Sequence, residues 1–95
     1  MKHALVTGGS SPIGAAIART LAEQGHHVIV HANGRLEAAE ATAGAIRAEG
    51  GSAEAMALDL ADGDAARAAL EARAGTHPIQ IVVHNAGLRR DMPFA

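Results

Sequence analysis

Residues that could hold a phosphate group are concentrated in the stretch TGGSSPIG, residues 7–14. Glycine at positions 8 and 14 would allow a tight turn and a close approach of the backbone to a ligand. Free N–H groups at the start of a following helix would meet phosphate oxygens, aided by the helix dipole. The predicted ligand contacts in this stretch are therefore Gly8, Ser10, Ser11, Ile13 and Gly14.

The spacing of these residues separates three kinds of phosphate loop. A Walker A loop requires a lysine and a hydroxyl residue after its last glycine, but two alanines follow Gly14. The pattern G-x-G-x-x-G fails because Ser10 occupies the place of its second glycine. The pattern T-G-x-x-x-G-x-G fits, with Pro12 in place of its middle glycine, and Pro12 removes only an N–H that has no partner within the helix. An ordinary glycine-rich turn between a strand and a helix stays open.

Strands and helices alternate along the rest of the chain. The predicted apolar stripes are Ile13, Ile17 and Leu21 in the first helix, and Leu36, Ala39, Ala43 and Ile46 in the second. The order β-α-β-α-β-α-β predicts an α/β fold with a parallel sheet, whose ligands bind beyond the carboxyl ends of the strands. Strands are predicted over 3–7, 27–31 and 53–60, a fourth strand running into a loop over 79–87, and helices over 12–24, 36–51 and roughly 63–74.

Three further features of these elements can be predicted. Gly25 and the pair Gly50-Gly51 should end the first two helices. The continuous β-branched run of the second strand is typical of burial on both faces. The fourth strand should form an exposed apolar edge.

Three short motifs in this order resemble the classical short-chain dehydrogenase/reductase family. They are TGGSSPIG after the first strand, the aspartate of LDL after the third, and HNAG, residues 84–87, after the fourth. The resemblance implies the amino-terminal part of a Rossmann-type doubly wound sheet, with strand order 3-2-1-4. The stretch NAGLRRD, residues 85–91, is similar to bacterial 3-oxoacyl-carrier-protein reductases, although sugar-alcohol and ketone reductases share its general look.

The family resemblance also implies contacts with the adenosine part of a nicotinamide cofactor. Asp59 and Leu60 would contact the adenine edge, and Asn85, Ala86 and Gly87 would lie beside the ribose. His84 replaces the first asparagine of the family's NNAG motif. Asp59 could instead cap the third helix, and Asn85 could hold the central strands together.

The end of the second strand predicts which nicotinamide cofactor binds. Enzymes that prefer NAD place an acid there to bond the ribose 2′-OH, and this chain has no acid from residue 24 to residue 36. It offers His31, Asn33 and Arg35. The guanidinium of Arg35 could pair with a 2′-phosphate, and Ser11 could add a hydroxyl contact. We therefore predict NADP, with NADPH preferred over NADH. Arg35 could instead be a solvated side chain at a helix start.

The catalytic groups that the resemblance implies do not occur in this sequence. The family transfers hydride with a Tyr-Lys pair, a Ser and an Asn that follow the NAG motif, and this chain contains no Tyr. We therefore predict no catalytic residue within 1–95, which would be the amino-terminal half of one NAD(P)-binding domain. In the intact enzyme the substrate would be a small or carrier-bound carbonyl compound. A non-catalytic nucleotide-binding or assembly module and an inactive fragment remain alternatives.

Composition and charge exclude several other functions. A net charge of −2 with the six histidines neutral provides no polybasic surface for nucleic acid. Without cysteine there is no disulfide or thiolate chemistry, and the histidine spacing matches no metal motif. No apolar run approaches a membrane span, and no signal peptide is evident. We predict a cytoplasmic protein that binds no metal and forms a homo-oligomer when full-length.

Overall fold

The computed structural model describes residues 2–59, 63–75 and 77–84, which form a four-stranded parallel sheet with helices between the strands. The strand order is β3-β2-β1-β4, so the predicted topology is confirmed. Each strand runs parallel to its neighbour, and the carboxyl ends of the strands therefore share one edge. The elements are β1 His3–Thr7, α1 Pro12–Glu23, β2 His27–Ala32, α2 Leu36–Ala48, β3 Ser52–Ala57, α3 Gly63–Ala74 and β4 Ile79–His84.

The two central strands are buried because helices cover the sheet. In β2 the side chains of Val28, Ile29 and Val30 are all inaccessible to solvent, as a continuous β-branched run predicts. α1 and α2 pack on the face that carries Val28 and Val30, and they complete the core there with Ala18, Ala39, Ala43 and Ile46. β4 is an edge strand with Val82 61% exposed, which agrees with the predicted apolar edge.

Both predicted apolar stripes were wrong at their first residue. Ile13 is 65% exposed and Leu36 is 48% exposed. Each lies in the first turn of its helix, where the chain has only begun to cross the sheet. In α1 the buried residues are Gly14 and Ala18, because small side chains allow the helix backbone to approach the strands closely.

The ends of α1 and α2 show why the predicted helix limits were too long. Gly50 takes a φ of 90° after α2, and the N–H of Gly51 donates to the carbonyl of Ile46 at 3.0 Å. Gly25 and His26 end α1 in the same way, with a φ of 91° and a 3.2 Å bond to Leu21. These are Schellman motifs, which stop a helix at a glycine in the left-handed conformation. β3 likewise ends at Ala57, before the predicted residue 60.

A polar cluster attaches α3 to the second face of the sheet near the amino ends of the strands. The guanidinium of Arg73 donates to both carboxylate oxygens of Glu54, at 2.6 and 3.0 Å. It also donates to Nδ1 of His3 at 2.9 Å, and His27 Nε2 lies 2.7 Å from Glu54. Paired bonds of this kind between arginine and a carboxylate are stronger than neutral hydrogen bonds. This amino-edge cluster comprises His3, His27, Glu54 and Arg73.

The amino-edge cluster makes stability depend on pH. The hydrogen bonds from Arg73 lower the pKa of Glu54 from 4.5 to about 2, with burial opposing and His27 assisting. Partial burial lowers the pKa of His3 below 6.5, and nearby His27 and Arg73 lower it further. Both groups take up protons more readily in the unfolded chain than in the folded chain. The contribution of His3 to stability should therefore be complete above pH 6.5 and be lost as the pH falls below it. The contribution of Glu54 should be lost from pH 4.5 toward 2.

The pH dependence can be measured as the free energy of urea unfolding between roughly pH 8 and roughly pH 2, a range that spans the window of these pKa shifts. The side chain of Glu54 is 37% exposed, and solvent screening should therefore reduce its contribution to about 1–2 kcal/mol. Glu54→Gln should remove the lower step and leave the His3 step. If that variant and the natural chain lose stability equally below pH 4.5, the cluster does not act as described.

Candidate cofactor-binding site

The loops predicted to form the site meet at the carboxyl edge of the sheet. β1 ends at Thr7 and β2 ends at Ala32, and β1 pairs with β2 on one side and with β4 on the other. The phosphate loop after β1 therefore lies beside the turn after β2. The turn after β3, at residues 58–59, comes next along this edge.

The phosphate loop is a tight turn that leads directly into α1. Gly8 has a φ of 66°, in the left-handed region where a side chain would be strained. The N–H of Ser11 donates to the carbonyl of Gly8 at 3.1 Å, which closes the turn. The hydroxyl of Ser11 donates to the same carbonyl at 2.9 Å and accepts the N–H of Gly14 at 3.1 Å. Ser11 is thus the N-cap of α1, a role that the sequence prediction did not include.

Among the described residues, the start of α1 leaves the N–H of Ile13 available to a ligand. Pro12 has no N–H, and the N–H of Gly14 is taken by Ser11. Within residues 2–59, 63–75 and 77–84, no hydrogen bond is found from the N–H of Ile13. The exposed side chain of Ile13 and the exposed Ser10 leave this end of the helix open to solvent. The geometry suits an anion placed on the helix axis.

Gly9 fixes the loop against β2, which the sequence analysis missed. Its N–H donates to the carbonyl of His31 at 2.7 Å. A Cβ atom at this position would lie 2.7 Å from Cγ1 of the buried Val30. The last position of the T-G-G motif therefore serves a close approach between the loop and the strand. The sequence signal for this close approach was the second glycine directly after Gly8.

His31 lies under the loop and not at the surface where the ribose was predicted. Its side chain is only 1% exposed. Nδ1 accepts the N–H of Gly8 at 3.1 Å, and Nε2 lies 2.8 Å from the carbonyl of Leu58. Because both ring nitrogens are engaged within the protein, His31 contributes no direct contact to a ligand in this arrangement.

The turn after β2 carries the residues predicted to recognise the 2′-phosphate. Asn33 and Arg35 are both exposed, and Gly34 between them has a φ of 80°. The Nε atom of Arg35 lies 3.7 Å from Oε1 of Glu37, with both side chains about three quarters exposed. This contact with Glu37 was not predicted, because it forms only when the first turn of α2 brings Glu37 toward Arg35.

The remaining predicted contacts lie at or beyond the limits of the described residues. Asp59 is exposed and directly follows Leu58, whose carbonyl bonds His31. Leu60, Asn85, Ala86 and Gly87 lie outside the described residues. Among the residues that the structure does describe, no group of histidines and carboxylates could hold a metal ion. None of the helices in that part of the chain could cross a membrane.

The sheet order, the loop after β1 and the open helix start define a Rossmann-type nucleotide-binding fold. A family model described as short chain dehydrogenase matches residues 2–95. This chain belongs to the short-chain dehydrogenase family.

Curated relatives extend this similarity to particular proteins. The chain is 41% identical over 91 residues to the 3-oxoacyl-[acyl-carrier-protein] reductase FabG of Staphylococcus aureus. It is 42% identical over 91 residues to the FabG reductase of Aggregatibacter actinomycetemcomitans. These matches cover 95% of this chain but 37% and 38% of the relatives, so the chain spans well under half of their length.

Solved structures agree with the curated relatives. A 3-oxoacyl (acyl-carrier-protein) reductase from Agrobacterium tumefaciens with NADP bound superposes with a TM-score of 0.81 at 41% identity, covering 90% of this chain and 33% of that one. A metagenomic short-chain oxidoreductase in complex with NADP gives a TM-score of 0.80 at 38% identity, covering 85% of this chain and 37% of that one.

Proposed function

We propose that this chain is the cofactor-binding half of an NADPH-dependent short-chain reductase. The intact protein would reduce a 3-oxoacyl thioester to its 3-hydroxyacyl form, the substrate being carrier-bound. The observation that carries the proposal is the phosphate loop, with Gly8 in the left-handed conformation and the N–H of Ile13 open at the helix start. The names of the FabG relatives and the NADP in two similar structures support it.

The residues of the loop fit a pyrophosphate group. The N–H of Ile13 and the dipole of α1 provide positive potential at the point where the helix is open. Gly8 leaves the backbone bare before Ser10, so that phosphate oxygens can approach it, and the buried Gly14 lets α1 lie close to the sheet. Ser11 holds the loop and the helix start together through its two hydrogen bonds. When bound, NADPH supplies the hydride for carbonyl reduction.

The turn after β2 would recognise the 2′-phosphate of NADPH. The guanidinium of Arg35 is 74% exposed and can turn toward a phosphate, and Asn33 lies at the same surface. The pair with Glu37 is long and exposed, and such pairs contribute little to stability. A dianionic phosphate would therefore compete with Glu37 for Arg35. With NADH, nothing would displace Glu37.

We assign the adenosine end of the site to the residues after β3 and β4. Asp59 and the N–H of Leu60 would read the adenine edge, and Asn85, Ala86 and Gly87 would lie beside the ribose. This assignment follows the order of the family's motifs along the chain. A cytoplasmic location and a homo-oligomeric full-length protein belong to the same proposal.

A nucleotide-binding module without chemistry of its own is the second candidate. The observation that favours it is the absence of any Tyr from these 95 residues. The two candidates differ in whether a Tyr and a Lys reach the bound cofactor from further sequence or from another polypeptide. Mass spectrometry of the protein isolated from its source would give the length of the natural chain. A mass equal to that of these residues alone would favour the module.

Calorimetric titration with NADPH and, in parallel, NADH tests the proposed function. The natural chain should bind NADPH more tightly than NADH. Arg35→Glu should weaken NADPH binding by about 10- to 100-fold, because it replaces a charge-assisted bond by repulsion, and should change NADH binding little. The matched control is Lys2→Glu, which makes the same charge change at an exposed residue before β1, at the opposite edge of the sheet.

Three results would contradict parts of this proposal. Binding of neither nucleotide by the folded chain would refute a self-sufficient cofactor site. Equal losses of NADPH and NADH affinity in Arg35→Glu would remove Arg35 from the 2′-phosphate site. An equal loss of NADPH affinity in Lys2→Glu would show that only the overall charge matters.

A further inference from the structure

His31 is a buried polar residue between two of the loops that form the site. It lies in β2, where its neighbours Val28, Ile29, Val30 and Ala32 are all buried and apolar. A histidine in such a strand must have a hydrogen-bond partner at each ring nitrogen, since burial without one is unfavourable. Gly8 provides one partner and Leu58 the other.

The identity of these partners determines which nitrogen of the His31 ring carries a proton. The N–H of Gly8 can only donate, so Nδ1 of His31 must be the acceptor in the 3.1 Å bond. The carbonyl of Leu58 can only accept, so Nε2 must carry the proton in the 2.8 Å bond. The ring is therefore neutral and protonated at Nε2.

The two partners belong to different parts of the proposed cofactor site. Gly8 begins the phosphate loop, and Leu58 directly precedes Asp59 at the adenine end. Two main-chain hydrogen bonds also join each loop to β2. The N–H of Gly9 donates to the carbonyl of His31, and the N–H of Leu58 donates to the carbonyl of Ala32. The ring of His31 is thus a side-chain link that spans from β1 across β2 to the turn after β3.

We propose that His31 is a positioning residue, whose neutral ring holds the phosphate loop and the adenine-side turn at the spacing that NADPH requires. This inference rests on the proposed function, because it concerns the same site. Without the ring, the N–H of Gly8 and the carbonyl of Leu58 would each lose this hydrogen bond. The main-chain bonds of Gly9 and Leu58 would remain, but no side chain would fix the spacing between the two loops.

Two variants of His31 test the proposal through NADPH affinity. His31→Leu fills the space but bonds neither loop, and it should weaken NADPH binding at least ~10-fold. His31→Asn places a carbonyl oxygen where Nδ1 accepts the N–H of Gly8 but has no donor at the position of Nε2, so it should recover only part of that loss. Full recovery would show that the bond to Leu58 has no role, and it would overturn the proposal. The matched control is His26→Leu, the same change in the turn before β2, which should leave NADPH affinity unchanged.

The natural chain provides a measurement that does not depend on any variant folding. A long-range proton–nitrogen NMR spectrum of the histidine rings should show His31 neutral, with its proton on Nε2, before and after NADPH is added. A proton on Nδ1 would overturn the proposal. Circular dichroism and thermal unfolding of each variant would separate loss of the fold from loss of the link.

The outcomes separate this inference from the proposed function. If the natural chain does not bind NADPH, the proposed function fails, and the positioning role fails with it. If the natural chain binds NADPH and His31→Leu binds it equally well, only the positioning role is overturned. If His31→Asn is no better than His31→Leu, the bond to Gly8 is not the one that matters, and the proposal is also overturned.

Discussion

Gly14→Val should bind NADPH at least ~100-fold more weakly than the natural chain, a loss that exceeds one charge-assisted hydrogen bond. Gly14 is buried in the first turn of α1, and its N–H is bonded to the hydroxyl of Ser11. A branched side chain there must either push the helix away from the sheet or fill the space where phosphate oxygens would approach Ile13. Either movement removes the pyrophosphate contacts, because both the loop and the helix start are needed. Calorimetric titration measures the effect.

The control for Gly14→Val is Ala16→Val in the next part of the same helix. Ala16 is exposed, so this variant adds a branched residue to α1 without crowding the loop. It should lose a little helix stability and keep its NADPH affinity. Retained affinity in Gly14→Val, with both variants folded by circular dichroism, would show that the cofactor phosphates do not lie at this loop.

The order of the elements and the loop could be predicted from the sequence because local patterns determine them. The continuous run after His27 indicated a strand buried on both faces, and Val28, Ile29 and Val30 are fully buried. The glycines at 25 and 50 marked helix ends, which the structure shows as Schellman motifs. Helix limits were less accurate because a Gly-Gly pair does not reveal which glycine takes the left-handed conformation.

The burial of individual side chains depends on how each helix crosses the sheet. The periodicity of apolar residues gives no information about this crossing. The spacing of Ile13, Ile17 and Leu21 suggested one apolar stripe, but Ile13 lies in the first turn and is exposed. The closest packing is made by Gly14 and Ala18, whose small size makes them weak signals in a hydrophobicity pattern. In a chain so rich in alanine, the helices pack on the sheet through close approach of their backbones.

The supporting residues of the site could not be predicted, because their partners are distant in the sequence. His31 bonds Gly8 and Leu58, which come together only when β1, β2 and β3 pair. The available signal was a histidine within an otherwise apolar strand, and it was interpreted as a ligand contact at the strand end. Glu37 was missed since only the first turn of α2 brings it toward Arg35.

Ile46→Ala should lower the free energy of unfolding by about 2–5 kcal/mol, the cost of a large cavity in a well-packed core. Ile46 is 1% exposed and is among the largest fully buried side chains. It packs in the core formed by α1, α2 and the sheet, where its Cγ2 atom also lies against Gly51. Small domains have typically only about 5–15 kcal/mol of stability, so the variant should unfold at much lower urea concentration.

Leu36→Ala is the matched control for Ile46→Ala on the same helix. Leu36 is 48% exposed, so its truncation removes little buried surface and should cost less than about 1 kcal/mol. Both residues belonged to the same predicted stripe, and periodicity alone would assign them similar losses. Equal losses in urea unfolding would therefore mean that Leu36 is part of the core after all. A large loss confined to Ile46 would show that the buried face of α2 anchors the helix, while the exposed side of its first turn presents Arg35 and Glu37 at the cofactor edge.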